Sequence, residues 1–338
     1  MKIKDIKKWY IDNNKIYFVS IELTQQCNFH CKHCYCTDKY SPHLDLDSYR
    51  LIIDKIYDTG CLFLNFTGGE ILTNKDFTNI YMYAKQKGFI IDLLTNASLI
   101  SDDIISVFKE YPPNNIAITI YGTTPYEYGK FTGDEKNYYR VMAALDRLKN
   151  NHIHFVLRTV ASKTYYKSLC SGEFQKLADH FNVSFKYDPI IFPQTSGNRL
   201  PLKECLSPEE IVILESQNIE RTNAWKNEIA SEENYQWTCH AGFNSFGVDC
   251  HGDAHICGLY RTQPISLLQH SMNEVLLHLR KIHTEHLKIV ASNECSHCAN
   301  RKICKWCPAY SQIYNGNNYE KIPFFCELAS QRVKFFGI

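Results

Sequence analysis

The sequence predicts an α/β fold: a partial (β/α)6 TIM-like barrel followed by a small cysteine-rich domain. Strand-like and helix-like segments alternate through the first two thirds of the chain, which is typical of parallel strands with helical crossovers. Six such units in about 190 residues fall short of the ~250 residues of a closed eight-stranded barrel, so we expect an open one. The 15 cysteines also cluster, with four in 27–36 and eight in 239–326.

The predicted barrel rests on six strand-like and five helix-like segments. The strand-like segments are Ile16–Glu22, Cys61–Phe66, Phe89–Leu94, Ile116–Ile120, Ile153–Val160 and Val183–Tyr187. The helix-like segments are Leu51–Tyr57, Phe77–Lys87, one that Ser101 caps and Pro112 ends, Tyr138–Asn150 and Glu173–Phe181. Their order predicts one parallel sheet whose strand ends share an edge.

These segments suggest four regions. Residues 1–14 form a short N-terminal extension, and 15–190 form the barrel. Residues 191–234 form a linker and a bridging helix, in which Ser207 is the N-cap and Pro208 the first helical residue. Residues 235–338 form the cysteine-rich domain.

The composition excludes several classes of protein. A chain of 338 residues with 44% hydrophobic and 22% charged residues is globular rather than disordered. The net charge of +1 lacks the basic excess of a nucleic-acid-binding protein. No apolar run reaches the roughly 18 residues of a membrane helix, and residues 1–14 lack the apolar core of a signal peptide. We therefore expect a cytoplasmic protein, in which clustered cysteines favour metal or cluster ligation over disulfides.

Three cysteines lie close together in the loop after the first predicted strand. Cys27, Cys31 and Cys34 offer three thiolates, enough to hold a four-iron cluster with one iron lacking a protein ligand. Two alternatives remain open. The three could bind zinc with His30 or His33 as the fourth ligand, or pack as core residues along one helix face.

The segment Cys-Asn-Phe-His-Cys-Lys-His-Cys-Tyr at 27–35 resembles the radical S-adenosylmethionine (SAM) superfamily. Further motifs follow, one on or directly after each consecutive strand, and the resemblance covers most of the chain. They are Thr67-Gly68-Gly69-Glu70, Thr95-Asn96, Thr119 and Arg158. One departure is Ile71, since members of the family often have proline after the glutamate.

The resemblance implies a cofactor and roles for these residues. The three cysteines would hold a [4Fe-4S] cluster whose open iron binds SAM. A flavodoxin- or ferredoxin-type reductant would drive cleavage of SAM to a 5′-deoxyadenosyl radical, which abstracts hydrogen from the substrate. Glu70 would accept hydrogen bonds from the methionine ammonium, and Arg158 would pair with the carboxylate. The implied SAM-binding set is Tyr35, Gly68, Gly69, Glu70, Asn96, Thr119 and Arg158.

The C-terminal cysteines resemble the SPASM extension, a seven-cysteine domain with two auxiliary [4Fe-4S] clusters. The resemblance rests on Cys239, Gly252, Cys257, the run Cys295-x2-Cys298-x5-Cys304-x2-Cys307, and Cys326. The family places three residues between the last two cysteines of that run, where this chain has only Lys305 and Trp306. A four-cysteine zinc ribbon at 295–307 is the alternative.

The SPASM resemblance also divides these cysteines into two ligand sets. It assigns Cys295, Cys298, Cys304 and Cys326 to an outer cluster, and Cys239, Cys257 and Cys307 to an inner one. The inner set lacks a fourth cysteine. Cys250 is the nearby candidate, but it lies outside the family pattern, so we expect an open iron.

The resemblance implies a peptide substrate, because most SPASM members modify peptides or proteins. The segment Lys186–Pro189 resembles maturases of ribosomally made peptides, which favours a radical SAM/SPASM maturase that installs a thioether or another crosslink on a precursor peptide. The alternatives are oxidation of a sulfatase residue, modification of a small molecule and, from another class, a non-catalytic zinc or electron-transfer protein. Gly258 after Cys257 disfavours the sulfatase reaction, whose enzymes have aspartate there.

The same resemblance bears on how a leader peptide would be bound and on the catalytic acid or base. Only about 15 residues precede the first strand, which is too few for a leader-binding domain of ~80 residues. We therefore expect the leader to be bound by a separate protein, by the barrel itself, or not at all. The sequence assigns no catalytic acid or base.

Overall fold

The computed structural model describes residues 3–36, 38–230, 239–316 and 319–337, and a sheet of nine strands lies at its centre. The strands are β1 (Phe18–Thr24), β2 (Phe63–Gly68), β3 (Ile90–Thr95), β4 (Asn115–Thr119), β5 (Val156–Val160), β6 (Phe185–Asp188), β7 (Ser245–Val248), β8 (Asp253–His255) and β9 (Ile265–Ser266). Their order across the sheet is β6-β5-β4-β3-β2-β1-β7-β8-β9.

The first six strands are all parallel and neighbour one another in chain order. This arrangement confirms the predicted α/β fold with a parallel partial barrel. Because every strand runs the same way, the loops after all six strands meet at one edge of the sheet. That edge carries the cysteine loop and each of the later motifs.

The described residues form thirteen α-helices. They are α1 (Ile3–Asp12), α2 (Leu46–Tyr57), α3 (Phe77–Gln86), α4 (Asp102–Glu110), α5 (Pro125–Thr132), α6 (Lys136–Asn150), α7 (Tyr166–Cys170), α8 (Glu173–Phe181), α9 (Pro208–Ser216), α10 (Ile219–Ala230), α11 (Met272–Ser292), α12 (Pro308–Asn315) and α13 (Pro323–Phe336). The chain described here contains no helix long and apolar enough to cross a bilayer.

Side-chain caps fix several of these helix starts. Ser101 accepts a hydrogen bond from the backbone N–H of Ile104, and Ser207 forms a reciprocal capping box with Glu210 at the start of α9. The sequence predicted both caps. It did not predict α5, where Thr124 caps the helix and Pro125 occupies its first turn.

The core lies between the sheet and its helices. On β1, Val19, Ile21 and Leu23 are fully buried, because alternate residues of a strand point to one face. Tyr49 of α2 is also fully buried and donates from its hydroxyl to the backbone oxygen of Leu23 at 2.8 Å. This packing fixes the end of β1, from which the cysteine loop departs.

The C-terminal region extends the barrel sheet. β7 pairs with β1 in parallel, with Phe18 opposite Ser245, and β8 and β9 continue the sheet as antiparallel strands. The 21-residue helix α11 follows, which the sequence analysis did not predict. The predicted boundary between 234 and 235 falls within 231–238, outside the described residues.

Candidate functional site

The cysteine loop, residues 25–36, leaves β1 without forming a helix. Phe29 is fully buried and anchors it. The backbone N–H groups of His30 and Lys32 donate to the carbonyl oxygens of Thr132 and Phe131, at 3.0 and 3.1 Å. The loop is therefore held against α5, and the alternative of three core cysteines on one helix face is wrong.

The three cysteines of this loop line one cavity of about 300 Å³, which we call the loop cavity. Burial raises the pKa of Cys27 to about 11. Burial also raises the pKa of Cys31, and the nearby Cys27 and Cys34 raise it further. The contact with Cys36 lowers the pKa of Cys34 to about 6. The thiols of Cys27 and Cys34 therefore both lie near that of Cys31.

The histidines of the loop do not complete a zinc site. His30 is exposed, while the ring of His33 stacks on Phe131 at 5.2 Å and burial lowers its pKa to about 4. Within the described ranges, no three His, Cys, Asp or Glu side chains converge as ligands of one metal ion. These three neighbouring thiols do not meet at the position of a single metal ion. They suit an iron–sulfur cluster instead, because each cysteine then binds a different iron.

Gly68 and Gly69 line the loop cavity where β2 ends beside the start of the cysteine loop. A Cβ at Gly68, whose φ is +137°, would lie 2.1 Å from the carbonyl oxygen of Thr24, and one at Gly69 would lie 2.2 Å from that of Gln26. Only glycine permits this approach, which places the end of β2 directly against the start of the cysteine loop. Both glycines line the loop cavity.

Glu70 serves a purpose that the sequence did not predict. Its side chain is fully buried and does not line the loop cavity. Its carboxylate accepts hydrogen bonds from Thr95 Oγ1 and the Asn96 backbone N–H, both at 2.6 Å, and from the Leu72 N–H at 3.1 Å. The carboxylate therefore fixes the ends of β2 and β3 relative to each other, and this geometry does not support the expected contact with a ligand ammonium.

The other predicted SAM-binding residues surround the loop cavity. The Asn96 side-chain amide donates to Asn28 Oδ1 at 3.0 Å and lies 3.9 Å from Cys27 Sγ. Polar groups thus face the thiols across a space of a size suited to a small ligand. The predicted residues that line it are Tyr35, Gly68, Gly69, Asn96, Thr119 and Arg158.

The lining residues that sequence reasoning did not single out include Asp188 and Tyr121. Asp188 ends β6 at the same sheet edge, and the buried Tyr121 follows β4. The position of Asp188 at the end of a predicted parallel strand is the signal that could have identified it. Tyr121 stacks on Phe131 at 5.5 Å, so its aromatic surroundings resemble ordinary core packing in the sequence.

The C-terminal cysteines include two sets of neighbouring thiols, an inner and an outer group. In the inner group, burial raises the pKa of Cys307, and the nearby Cys257 and Cys239 raise it further. In the outer group, burial raises the pKa of Cys295 to about 11, with smaller contributions from Cys304 and Cys326. Cys298 belongs with the outer group, since it raises the pKa of Cys326.

This grouping counts against a zinc ribbon at 295–307, because Cys307 lies with Cys239 and Cys257 instead of with its sequence neighbours. The side chain of Arg301 stabilises the short turn between Cys304 and Cys307. The Arg301 guanidinium donates to the carbonyl oxygens of Cys304 and Trp306, at 3.3 and 2.9 Å. The two-residue spacing is thus compatible with ligands that face different sites.

Cys250 lies apart from the inner group. It is fully buried beside His251, with its Sγ 3.7 Å from Nε2 of that ring. Burial raises the pKa of Cys250, and its charged neighbours are Asp249 and Glu22. Its surroundings are those of a packed core residue.

Comparisons with known proteins agree with this site. Residues 21–165 match the radical SAM superfamily. A SAM-dependent nucleotide dehydratase from Selenomonas ruminantium is 37% identical over 84 residues, 25% of this chain and 31% of that protein. An AdoMet-dependent heme synthase from Methanosarcina barkeri is 23% identical and covers 90% of this chain and 95% of its own length. The subtilosin biosynthesis protein AlbA from Bacillus subtilis is 22% identical, and the match covers 89% of this chain and 69% of AlbA.

Solved structures share the fold at low sequence identity. SuiB from Streptococcus suis, bound to its precursor peptide SuiA, superposes with a TM-score of 0.73 at 14% identity, over 94% of this chain and 78% of SuiB. The enzyme anSMEcpe with AdoMet and a Cp18Cys peptide gives a TM-score of 0.69 at 16% identity, over 94% and 96%. Residues 21–165, which carry the three thiols at the predicted edge, form a radical SAM domain, and the chain is a radical SAM enzyme.

Proposed function

We propose that the chain is a radical SAM/SPASM peptide maturase that abstracts hydrogen from a ribosomally made precursor peptide and installs a crosslink, most simply a thioether. The observation that carries this proposal is a long cleft leading away from the loop cavity. The relationship to AlbA and the fold shared with peptide-bound SuiB support it.

The cleft consists of two further cavities. The apolar cavity, about 410 Å³, lies between the barrel edge and the C-terminal region and includes Ile191, Phe192 and Tyr310 in its lining. The outer cavity, about 860 Å³, adjoins it and is lined in part by β6 and α10. Asp188 lines all three cavities. Beyond the space for SAM, the cleft exceeds the size of most small-molecule pockets and suits an extended peptide.

The positions of the residues around the loop cavity indicate a role for each of them. Cys27, Cys31 and Cys34 would hold the [4Fe-4S] cluster, which supplies the electron that cleaves SAM. The backbone of Gly68 and Gly69 and the side chains of Asn96, Thr119 and Arg158 would orient SAM, with Glu70 fixing the strand ends behind them. The apolar cavity excludes water from the peptide segment that enters.

The auxiliary sites belong to the same proposal. Cys295, Cys298, Cys304 and Cys326 would hold one [4Fe-4S] cluster, and Cys239, Cys257 and Cys307 a second with an open iron. A crosslink removes two hydrogens from the peptide, so an electron acceptor is needed, and the auxiliary clusters are suited to that task. We further propose a flavodoxin- or ferredoxin-type reductant and a separate leader-binding protein as partners.

The test is mass spectrometry of short peptides encoded beside the gene, after incubation with the anaerobically reconstituted enzyme, SAM and dithionite. We expect one peptide to lose two hydrogens per crosslink, with the modified residues located by fragmentation. Formation of 5′-deoxyadenosine without change in any such peptide would count against a peptide substrate.

A second candidate is a carboxylated tetrapyrrole. The heme synthase from Methanosarcina barkeri matches nearly its full length to this chain. The apolar cavity combines aromatic walls with Arg221, Lys305 and Arg332, which suits a flat ring with acidic substituents. Conversion of an iron porphyrin by the reduced enzyme, with no peptide modified, would favour this candidate.

A further inference from the structure

We propose that the cleft contains a carboxylate-binding site at the junction of the apolar and outer cavities, built on Arg221 and Trp225 of α10, and that it selects an acidic side chain of the substrate. The inference rests on the proposed peptide substrate for the source of that carboxylate. Two observations support the site itself: the positive charge of the cleft lining and two N–H donors for which the described residues supply no hydrogen-bond partner.

The junction carries an excess of positive charge. Arg221, Trp225, Lys305 and Asp188 line both cavities. Over the two cavities together, the cationic lining side chains are Arg158, Lys186, Arg221, Lys305 and Arg332, against the acidic Asp188, Glu215 and Glu220. The whole chain has a net charge of only +1, so the surplus is a local property of the cleft.

The nearest carboxylate is already occupied. Arg332 holds Glu215 with two hydrogen bonds, from Nη2 to Oε1 at 2.7 Å and from Nε to Oε2 at 2.9 Å. Both side chains are almost completely buried. Arg221 Nη1 comes only within 3.9 Å of Glu215 Oε1, too far for a hydrogen bond. One buried carboxylate thus lies beside two guanidinium groups, and within the described ranges Nη1 of Arg221 is left without a hydrogen bond.

Two N–H donors at this point lack a hydrogen-bond partner among the described residues. They are Arg221 Nη1 and the indole Nε1 of Trp225. A buried donor without a partner is costly, and at the wall of a cleft a ligand can supply the acceptor. Arg221 and Trp225 are four residues apart on α10, so the two donors lie on one face of that helix. Two such donors, one of them cationic, are matched by a carboxylate, which accepts at two oxygens.

The surrounding contacts hold the site without blocking it. Arg332 lies over the Trp225 ring at 4.3 Å and Lys305 at 5.0 Å, so two cations contact the indole. Arg221 stacks on Tyr187 at 4.5 Å and donates from Nη2 to the carbonyl oxygen of that residue at 3.2 Å. Its side chain is 29% exposed, so the guanidinium can turn to meet a ligand.

The test compares two dye-labelled, end-blocked synthetic pentapeptides that differ only in a central Glu or Gln between apolar residues. Fluorescence anisotropy measures their affinity for the anaerobic holoenzyme. We expect the Glu peptide to bind about tenfold more tightly, the effect of one partly exposed charge-assisted contact. Equal affinities, or no binding of either peptide at millimolar concentration, would overturn the site.

Two variants assign the preference to named atoms. Arg221→Gln should abolish it, and Trp225→Phe, which removes the N–H but keeps a ring, should reduce it severalfold. Arg140→Gln is the matched control, since Arg140 lies on α6 with a half-exposed side chain and should leave the preference unchanged. A preference that survives Arg221→Gln in folded enzyme would also overturn the proposal.

A parallel measurement distinguishes the source of the carboxylate. Coproporphyrin III and its methyl ester replace the peptide pair. Selective, Arg221-dependent binding of the free acid at higher affinity than the Glu peptide would support the site but assign it to a tetrapyrrole. Selective binding of the Glu peptide alone supports the carboxylate site as proposed. This holds even where no precursor peptide is modified, so the carboxylate site and the maturase function are tested independently.

Discussion

The cysteine loop and the inner C-terminal group hold three thiols each, but in different ways. The loop carries Cys27, Cys31 and Cys34 within one short segment tied to α5 by backbone hydrogen bonds. The inner group joins Cys239, Cys257 and Cys307, which come from three separate parts of the C-terminal region. The first arrangement depends on local structure and the second on the complete tertiary fold, so damage to the two should have different consequences.

Removal of the three loop thiols should have the largest effect of the changes that distinguish the two groups. We expect replacement of Cys27, Cys31 and Cys34 by Ala to abolish 5′-deoxyadenosine formation, because no ligand for the catalytic cluster remains. About two thirds of the iron should stay bound, since the C-terminal groups form independently. Iron analysis and chromatography of the products check both expectations, and unchanged deoxyadenosine formation would contradict the assignment.

Substitution in the inner group should affect iron content more than SAM cleavage. Cys257→Ala should lose about one third of the iron. Cys250→Ala is the matched control, because Cys250 packs beside His251 and is not among the groups that shift the pKa of the inner cysteines. Equal loss of iron in both variants would show that Cys250 is a ligand and that the inner site is closed.

The ion pair between α9 and α13 tests how far the C-terminal region depends on tertiary contacts. Glu215→Gln leaves the buried Arg332 without its counter-charge, which should lower the free energy of unfolding by about 3–5 kcal/mol. Lys176→Gln, in an exposed pair with Glu173, should change it by less than about 1 kcal/mol. Chemical denaturation of the two variants measures the difference, and similar values would contradict a structural role for the buried pair.

A smaller effect distinguishes positioning from direct contact at Glu70. Glu70→Gln places an amide where three donors now meet one carboxylate, which should cost roughly 1–3 kcal/mol of stability and weaken SAM binding with it. Titration with SAM and denaturation of the same variant check this. Weaker SAM binding at unchanged stability would instead favour direct contact with the ammonium.

The same contrast explains what the sequence could predict. Cys27, Cys31 and Cys34 lie at a fixed local spacing, and alternation of strands and helices placed them at the active edge of a parallel sheet. Helix caps at Ser101 and Ser207 were equally local and were predicted correctly.

Features that depend on long-range contacts were not predicted. The pairing of β7 with β1 joins residues more than two hundred positions apart, and no local pattern encodes it. The inward orientation of Glu70 depends on donors from β3 and the following residue, which a tripeptide motif does not contain. The junction of Arg221, Trp225 and Lys305 likewise forms only when α10 meets the C-terminal region.

The most direct test of hydrogen abstraction from a peptide uses a precursor peptide deuterated at carbon. The enzyme, reduced and supplied with SAM, should transfer deuterium into 5′-deoxyadenosine, detected as a heavier product by mass spectrometry. The transfer should disappear when Cys27, Cys31 and Cys34 are replaced. Modified peptide accompanied only by unlabelled 5′-deoxyadenosine would contradict the proposed reaction.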